Sequence, residues 1–329
     1  MDLEMLQRRS AIIKQIRRFF DDRDFLELDT PLLSGDLIPE SCLEVFKTER
    51  LYPHGSREKG YPLWLIPSPE IWMKKIIAQH RVSVYQICKC FRNGESTGHL
   101  HSSEFTMLEY YTINATYMDS LTLTEELFAI LAKEAGIPSL APPFERITVA
   151  QAFERWAGFD LFAALGDSPS GNALLQSGLE THARKLGLDP LPGQSAGALY
   201  DLIFIHAVEP NLKTEKPIAL LDYPAFVPCL AKKAQDGKTV ERWELYYNGI
   251  ELANCFSEET KAQIVKDFFL SEAAEKEKTA LVQHKVDHNY WKTFTDFPPC
   301  SGVAMGLDRL IMALTERSRI DAVLPFAGE

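Results

Sequence analysis

The chain lacks most of the features that would assign it quickly. Its 329 residues hold no apolar run long enough to cross a bilayer, so no membrane-spanning helix is expected. The first residues, MDLEMLQRRSAIIKQ, are charged and periodic and have none of the apolar core of a signal peptide, so a cytoplasmic protein is expected. Positive charge is in deficit. The 35 Lys and Arg stand against 46 Asp and Glu, a net charge of -11, which argues against a protein built to wrap nucleic acid. The six cysteines are scattered and none falls in a C-x-x-C pair, so reduced structural thiols are expected rather than a zinc or redox motif. Cys88 and Cys90 sit two apart on an expected strand and point the same way, without zinc-finger spacing. His284 and His288 could share a helix face, but with no carboxylate motif beside them they read as surface residues. Internal repeats, heptads and a dividing linker are absent. So are the P-loop and the dinucleotide fingerprint.

What is present is ordinary globular composition, 46% hydrophobic and 25% charged, with ample material for a core. Residues 3–22 place Met5, Ile12, Ile16 and Phe19 at helical spacing. A short strand at Phe25–Leu28 follows, then Pro31. Residues 34–62 are expected to be loop-rich, with a turn at His54-Gly55-Ser56. A strand is expected at Pro62–Ile66. Ser68-Pro69-Glu70 then opens a helix, with Ser as N-cap and Pro at the first helical position. Strands are expected at Val82–Phe91 and Glu104–Thr112 around a polar loop at 93–103. Helices are expected at 117–135, 147–157, near 172–186, and at Asp201–Val208, with strands at Ile218–Asp222 and Val227–Ala231. After a hairpin, helices are expected at 259–278 and 287–294, then a strand at Ser301–Met305 and a helix at 307–316. The strands cluster in hairpin-like groups with helices around them. This predicts an α+β fold with an antiparallel sheet flanked by helices, not a βαβ alternation.

Three segments carry chemistry. In ERWELYYNGIELANCFSE (241–258), Asn248-Gly249 is a strong type I′ hairpin signal, because both central residues need positive φ. The turn pairs Tyr247 with Ile250, Tyr246 with Glu251 and Leu245 with Leu252. Glu244, Tyr246, Glu251 and Ala253 then share a face, with the two carboxylates as diagonal neighbours. The hairpin alone leaves two readings open: a solvent-facing acidic pair, or a seat for a divalent cation shared with substrate phosphates. In CFRNGESTGHLHSSEFTMLEYY (90–111), Phe105, Met107, Glu109 and Tyr111 share a strand face, a floor suited to a ligand with a flat part and a cationic part. Arg92 ends the preceding strand, where a planar guanidinium can grip a phosphate. In SGVAMGLDRL (301–310), Gly302, Ala304 and Gly306 let a backbone approach a ligand, and Arg309 lies in the first turn of the next helix.

Together these segments resemble the class II aminoacyl-tRNA synthetases. F-R-x-x-E…E-F-T-M-L-E resembles their motif 2, G-V-A-M-G-L-D-R their motif 3, and the surroundings of DFLELDTPLL their dimerising motif 1. E-L-x-x-x-G-x-E-L-A-N-x-F-S-E is similar to the lysyl-tRNA synthetase subgroup. Motif 1 begins almost at residue 1, which leaves no room for an N-terminal anticodon-binding OB domain. IELAN, Ala304 and VEPNLKTEKP (208–217) resemble the elongation factor P–(R)-β-lysine ligase family. The resemblance implies a single catalytic domain over 1–329 with a helical insertion at about 158–215. It implies a homodimer that activates β-lysine or lysine with ATP and Mg²⁺ and transfers it to a lysine of elongation factor P. The alternative is a truncated synthetase that aminoacylates RNA or forms free lysyl-adenylate. The acidic balance and the missing OB domain count against tRNA.

The resemblance also implies roles. Glu244 and Glu251 hold Mg²⁺. Arg92, Glu251 and Arg309 are catalytic, acting by charge and position. Arg92, Asn93, Glu95, Ser102, Phe105, Glu251, Leu252, Gly306 and Arg309 bind ATP, with the adenine between Phe105 and Arg309. Glu95 is favoured over Gly94 as the acidic position. Ser68, Glu70, Glu109, Tyr111, Asn254, Glu258 and Ala304 bind the amino-acid substrate, with Glu109, Tyr111 and Glu258 around its side-chain ammonium and Ser68, Glu70 and Asn254 nearer its other end. The chain departs from the family at His99, where arginine is common, at Ser102-Ser103 in place of Asn-Pro, and at Cys255 in place of glycine. Strict alternation from Glu251 puts Asn254 on the opposite face, so a bulge is required if both serve one site.

Overall fold

Helical periodicity at the N-terminus and period-two alternation in the rest produce eleven strands and eight α-helices among the described residues. The computed structural model describes residues 2–52, 60–95, 98–163 and 173–326. The expected turn at His54-Gly55-Ser56, part of the 93–103 loop and part of the expected insertion lie outside them. In chain order the elements are α1 (Leu3–Asp21), β1 (Leu26–Glu27), β2 (Leu33–Ser34), β3 (Lys47–Arg50), β4 (Tyr61–Leu65), α2 (Glu70–His80), β5 (Val84–Phe91), β6 (Glu104–Ile113) and α3 (Tyr117–Ala135). Then come β7 (Glu145–Thr148), α4 (Val149–Ala152), α5 (Ala173–Lys185), α6 (Ala196–Ile203), β8 (Ile218–Pro224), β9 (Thr239–Tyr247), β10 (Ile250–Ser257), α7 (Ala262–Thr279), β11 (Cys300–Gly306) and α8 (Leu307–Leu314). The strands are mostly antiparallel and flanked by helices, the α+β class expected. Two compact units emerge: Met1–Asn114 with Thr260–Glu329, and Ala115–Glu259.

In the first unit the strand order is β1-β5-β6-β11, with β1 parallel to β5 and the other pairs antiparallel. A small second sheet runs β2-β4-β3. The apolar stripe of α1 covers one face of the larger sheet. Phe20 stacks on Tyr85 at 4.8 Å and tilts against Tyr110 at 4.9 Å. Arg9 is buried with it, bonded to Thr106 Oγ1 at 2.9 Å and paired with Asp308 at 2.7 Å. Asp308 Oδ2 in turn accepts the Thr106 N–H at 2.6 Å, tying the start of α8 to β6. With that face filled, the opposite face is the one left to bind something.

In the second unit β8, β9 and β10 are antiparallel and β7 lies parallel to β8. α3 starts on a reciprocal capping box between Thr116 and Asp119 and ends on Gly136 at φ 72°. α4, α5 and α6 pack a second core onto β8 and β9, with Phe153 stacked on Tyr200 and both joined to Ile203, Leu220, Tyr223 and Tyr246.

Some local expectations fail for identifiable reasons. The 34–62 stretch contains β3, whose four residues are all exposed and so carry no alternation. β7 replaces the first turn of the helix expected from 147, and a π-helical turn at Phe153–Ala157 follows α4. Val227–Ala231 is not a strand; only isolated bridges occur nearby, including Ala231 to Glu258. Pro69 occupies the N-cap of α2 rather than its first helical position, and Ser68 Oγ accepts the Glu70 N–H at 3.3 Å. The helix expected at 287–294 is a short 3₁₀ turn, Tyr290–Phe294.

Candidate active site

The register of the first unit decides which side chains meet. Gln86, Cys88 and Cys90 stand directly opposite Glu109, Met107 and Phe105. Tyr111, Glu109 and Met107 in turn stand opposite Gly302, Ala304 and Gly306. Directly opposed residues share a face, so this face carries a row of polar and aromatic side chains on β5 and β6 beside three small residues on β11.

At one end of the face Arg92 lies over the Phe105 ring, 5.2 Å from its centroid. Its backbone N–H bonds Ser103 O at 3.0 Å, which continues the ladder beyond β5. Glu95 approaches the guanidinium at 3.7 Å. Arg92 Nε is buried with no hydrogen-bond partner among the described residues, a donor without an acceptor. Asn93 is fixed by its backbone to Glu44 O at 2.9 Å and caps its own turn through Oδ1 to the Gly94 N–H. Ser102 is half-buried in the same loop. Arg309 reaches back to Leu100 O at 3.3 Å and to His101 Nε2 at 2.9 Å. Burial and the Arg309 charge hold His101 below its ordinary pKa, so a neutral ring accepts from the guanidinium. A Cβ at Gly306 would meet the Arg309 side chain at 3.6 Å, an ordinary contact, so Gly306 keeps the path open rather than relieving a clash. His99 is bonded by Arg319 from 220 positions away, a partner sequence spacing could not reveal.

Toward the other end lies a buried carboxylate. Glu109 is 2% exposed; its Oε1 accepts the Tyr111 hydroxyl at 2.7 Å, and its Oε2 has no hydrogen-bond partner among the described residues. Opposite it, Gln86 spends Oε1 on the Thr30 hydroxyl at 3.0 Å and leaves a buried Nε2 donor without a partner. Burial, then the Glu70 charge, push the Glu109 carboxyl well above its usual range. Glu70 itself holds the fully buried Lys74 at 2.6 Å, one helical turn on. Ala304 puts a methyl group, the smallest side chain available, directly across from Glu109. Sequence reasoning named Ser68, Glu70, Glu109, Tyr111 and Ala304 here and missed Gln86 and Lys74. Alternation back from Arg92 would have found Gln86, and the i,i+4 step from Glu70 would have found Lys74.

In the second unit the hairpin turn is the one expected, with Asn248 at φ 50° and Gly249 at φ 77°. Tyr247 pairs with Ile250 and Tyr246 with Glu251. The next pairing is a correction. A bulge between Glu251 and Ala253 sets Ala253, not Leu252, opposite Leu245, and sets Asn254 opposite Glu244. Ala253 therefore leaves the carboxylate face, and Glu244, Tyr246, Glu251 and Asn254 share it. The buried Leu252 is the extra residue.

Glu244 is not a solvent-facing acid. Its Oε2 accepts the hydroxyls of Tyr223 at 2.6 Å and Tyr246 at 2.7 Å, and its Oε1 accepts Arg242 Nη2 at 2.5 Å. Burial and the Glu244 charge push both phenols up, so both remain O–H donors. Arg242 also donates Nε to Asn254 Oδ1 at 3.1 Å and stacks over Tyr223 at 4.4 Å. Arg242 thus orients two expected site residues, and sequence reasoning missed it although it lies two positions before Glu244. Glu251 is half-buried, and Glu258, just beyond β10, is 2% exposed. Among the described residues no group of three or more His, Cys, Asp or Glu side chains gathers as a metal cage. Two hard carboxylates on one face suit an ion such as Mg²⁺, which takes one or two protein carboxylates and completes its shell with phosphate oxygens and water.

Comparison with known proteins adds what the chain is similar to. A model of the class II tRNA synthetases (D, K and N) matches residues 3–329. The chain is 35% identical over 326 residues to the elongation factor P–(R)-β-lysine ligase of Histophilus somni (strain 2336), covering 98% of this chain and 95% of that protein. It is 33% identical over 329 residues to the ligase of the same name from Avibacterium paragallinarum (99% and 96% covered) and 34% over 328 residues to that of Vibrio atlanticus (strain LGP32; 98% and 95%). Matched by the family model over residues 3–329 and by relatives at 33–35% identity over nearly its whole length, the chain belongs to the class II tRNA synthetase family and, within it, to the elongation factor P–(R)-β-lysine ligases.

Proposed function

We propose that the chain activates (R)-β-lysine with ATP and transfers it to the ε-amine of a lysine on elongation factor P. The observation that carries this reading is the face of β5, β6 and β11. A guanidinium over an aromatic ring stands at one end, and a buried carboxylate with an unused oxygen stands two ranks away. An adenylating site for a diamino acid needs both. Phe105 and Arg309 hold the adenine, a stacking and cation–π arrangement. Arg92, with its unused Nε, takes the α-phosphate, assisted by Asn93, Glu95 and Ser102 in the same loop. Glu109 and Tyr111 receive the substrate ammonium, which favours the ionised form of the Glu109 carboxyl that burial and the Glu70 charge disfavour, and Ser68 and Glu70 lie nearer the other end of the substrate. Asn254 and Glu258 are further substrate-binding residues, and Ala304 limits the pocket beside Glu109. Glu244 and Glu251 hold Mg²⁺, which neutralises phosphate charge when bound.

The substrate carboxylate attacks the α-phosphorus in line, the P–O bond to the β-phosphate breaks, and pyrophosphate leaves. A neutral lysine amine on the partner protein then attacks the mixed anhydride, an amide forms, and AMP leaves. Nothing in this sequence needs a side-chain nucleophile; position and charge provide the catalysis. The chain acts in the cytoplasm as a homodimer through the motif 1 region, where Leu26 and Leu33 are exposed on β1 and β2. None of the helices among the described residues is long and apolar enough to cross a membrane.

The test is direct. The protein is incubated with ATP, Mg²⁺ and either lysine or (R)-β-lysine, and then given elongation factor P or tRNA. A mass increase on elongation factor P with β-lysine is expected. Charged tRNA with unmodified elongation factor P would replace this reading by the aminoacylating one.

A further inference from the structure

The proposed reaction leaves unused two thiols on its own floor. Cys88 and Cys90 lie on the face of β5 that carries Arg92, directly opposite Met107 and Phe105. Their Sγ atoms are 3.8 Å apart. Both are free; Cys90 is buried and Cys88 partly accessible.

We propose that Cys88 and Cys90 form an oxidisable dithiol in the nucleotide floor, closed to a disulfide by a peroxide and reopened by small thiols. The electron balance is simple. The Cys88 thiolate attacks a peroxide oxygen, the O–O bond breaks, and the departing hydroxide takes up the proton the Cys88 thiol had shed, leaving a sulfenic acid and water. The Cys90 sulfur then attacks the Cys88 sulfur, the S–O bond breaks, and the departing hydroxide takes the Cys90 proton as water. Two thiols and one hydrogen peroxide give one disulfide and two waters. The order follows from accessibility and from the thiols' mutual hydrogen bond. That bond draws the Cys88 pKa down, and the same bond with burial pushes Cys90 up, so Cys88 is the better attacking thiolate.

Closure strains the strand. A disulfide needs sulfurs about 2.04 Å apart and Cα atoms no more than about 6.8 Å apart. Residues two apart on a strand are separated by about 6.4–6.8 Å, the upper end of that range. The bond therefore forms only by pinching β5 at this point. Strained disulfides have more oxidising potentials and are the readily reversed ones. The pinch falls opposite Phe105 and two residues before Arg92, so it displaces the pair that grips the nucleotide. This consequence for ATP rests on the proposed function; the dithiol itself does not.

Lys89, lying between the two cysteines, supplies the assay. Trypsin cuts after Arg81, Lys89 and Arg92 and releases VSVYQICK and CFR as separate peptides. After mild hydrogen peroxide treatment of the whole protein, the two are expected as one linked species that dithiothreitol separates. ATP–pyrophosphate exchange is expected to fall at least tenfold in step with linkage and to recover with reduction. Cys90→Ser, normalised to its own untreated rate, is expected to give no linked species and a sulfenic acid on Cys88 that dimedone captures. Failure to find the linked species while the exposed Cys42 is oxidised would overturn the proposal. Full linkage with unchanged exchange would confirm the dithiol and overturn its effect on the nucleotide site. The peptide readout needs no activity, so failure of the dithiol and failure of the adenylating chemistry are read separately.

Discussion

Glu40 gives the sharpest physical test of the floor's surroundings. Its segment is clamped from two sides. Lys276 Nζ donates to Glu40 O at 2.9 Å, Glu272 accepts the Ser41 N–H at 2.9 Å, and the Asn93 N–H bonds Glu44 O at 2.9 Å. The clamp holds the Glu40 carboxyl near Glu70 and Arg92. Burial, then the Glu70 charge, raise its pKa from 4.5 to about 7, against the opposing pull of Arg92 and Lys276. Between those two values the folded protein keeps a proton that the unfolded chain releases, so stability falls as pH rises. Glu40→Gln cannot ionise. The variant should match the parent near pH 4 and then gain on it by about 1.4 kcal/mol per pH unit, reaching about 3 kcal/mol at pH 7. Urea unfolding of ligand-free protein at pH 4, 5, 6 and 7 measures the gap as a difference of extrapolated free energies. A gap that stays constant with pH, or widens toward acid, would refute the burial argument.

Two further outcomes are expected. Glu251→Gln, which removes one proposed oxygen ligand and keeps the shape of the side chain, should reduce ATP–pyrophosphate exchange at least a hundredfold with no change in the unfolding midpoint; near-normal exchange would remove the metal role. Glu244→Ala strands the buried Arg242 and two tyrosine hydroxyls, so it should destabilise the fold by about 3–5 kcal/mol in chemical unfolding, and a loss under about 1 kcal/mol would show that the network is solvated.

Much of the fold was legible because local rules and tertiary packing agree. Alternation in EFTMLEYY gave the Phe105–Tyr111 face, and Asn248-Gly249 gave the hairpin turn. Small residues at 302, 304 and 306 fall on the face that alternation assigns to them. What was not legible depends on distance through space. Glu40 reads as an ordinary loop acid, since the charges that act on it, from Glu70 and Arg92 to Lys276 and Glu272 on α7, lie far from it in sequence. The pairing of Arg319 with His99 is hidden for the same reason. Leu252 carries none of the composition that usually marks a bulge, neither glycine nor proline, so the register beyond Glu251 went astray by one. β3 was missed because a fully exposed strand shows no alternation.

The bulge at Leu252 has a wider consequence. It acts on geometry as a frameshift acts on a reading frame: everything downstream on β10 is displayed in the other phase. Glu251 belongs to one phase, and Asn254 and Phe256 to the other, yet one inserted residue makes them face the same way. Deleting Leu252 would remove the bulge and still leave Ala253, Asn254 and Cys255 opposite Leu245, Glu244 and Trp243, whereas straightening the strand with Leu252 retained would exchange its two faces and carry Asn254 to the Trp243 side. Which side chains β10 presents beside Glu244 is therefore stored as much in the bulge at Leu252 as in the side chains themselves.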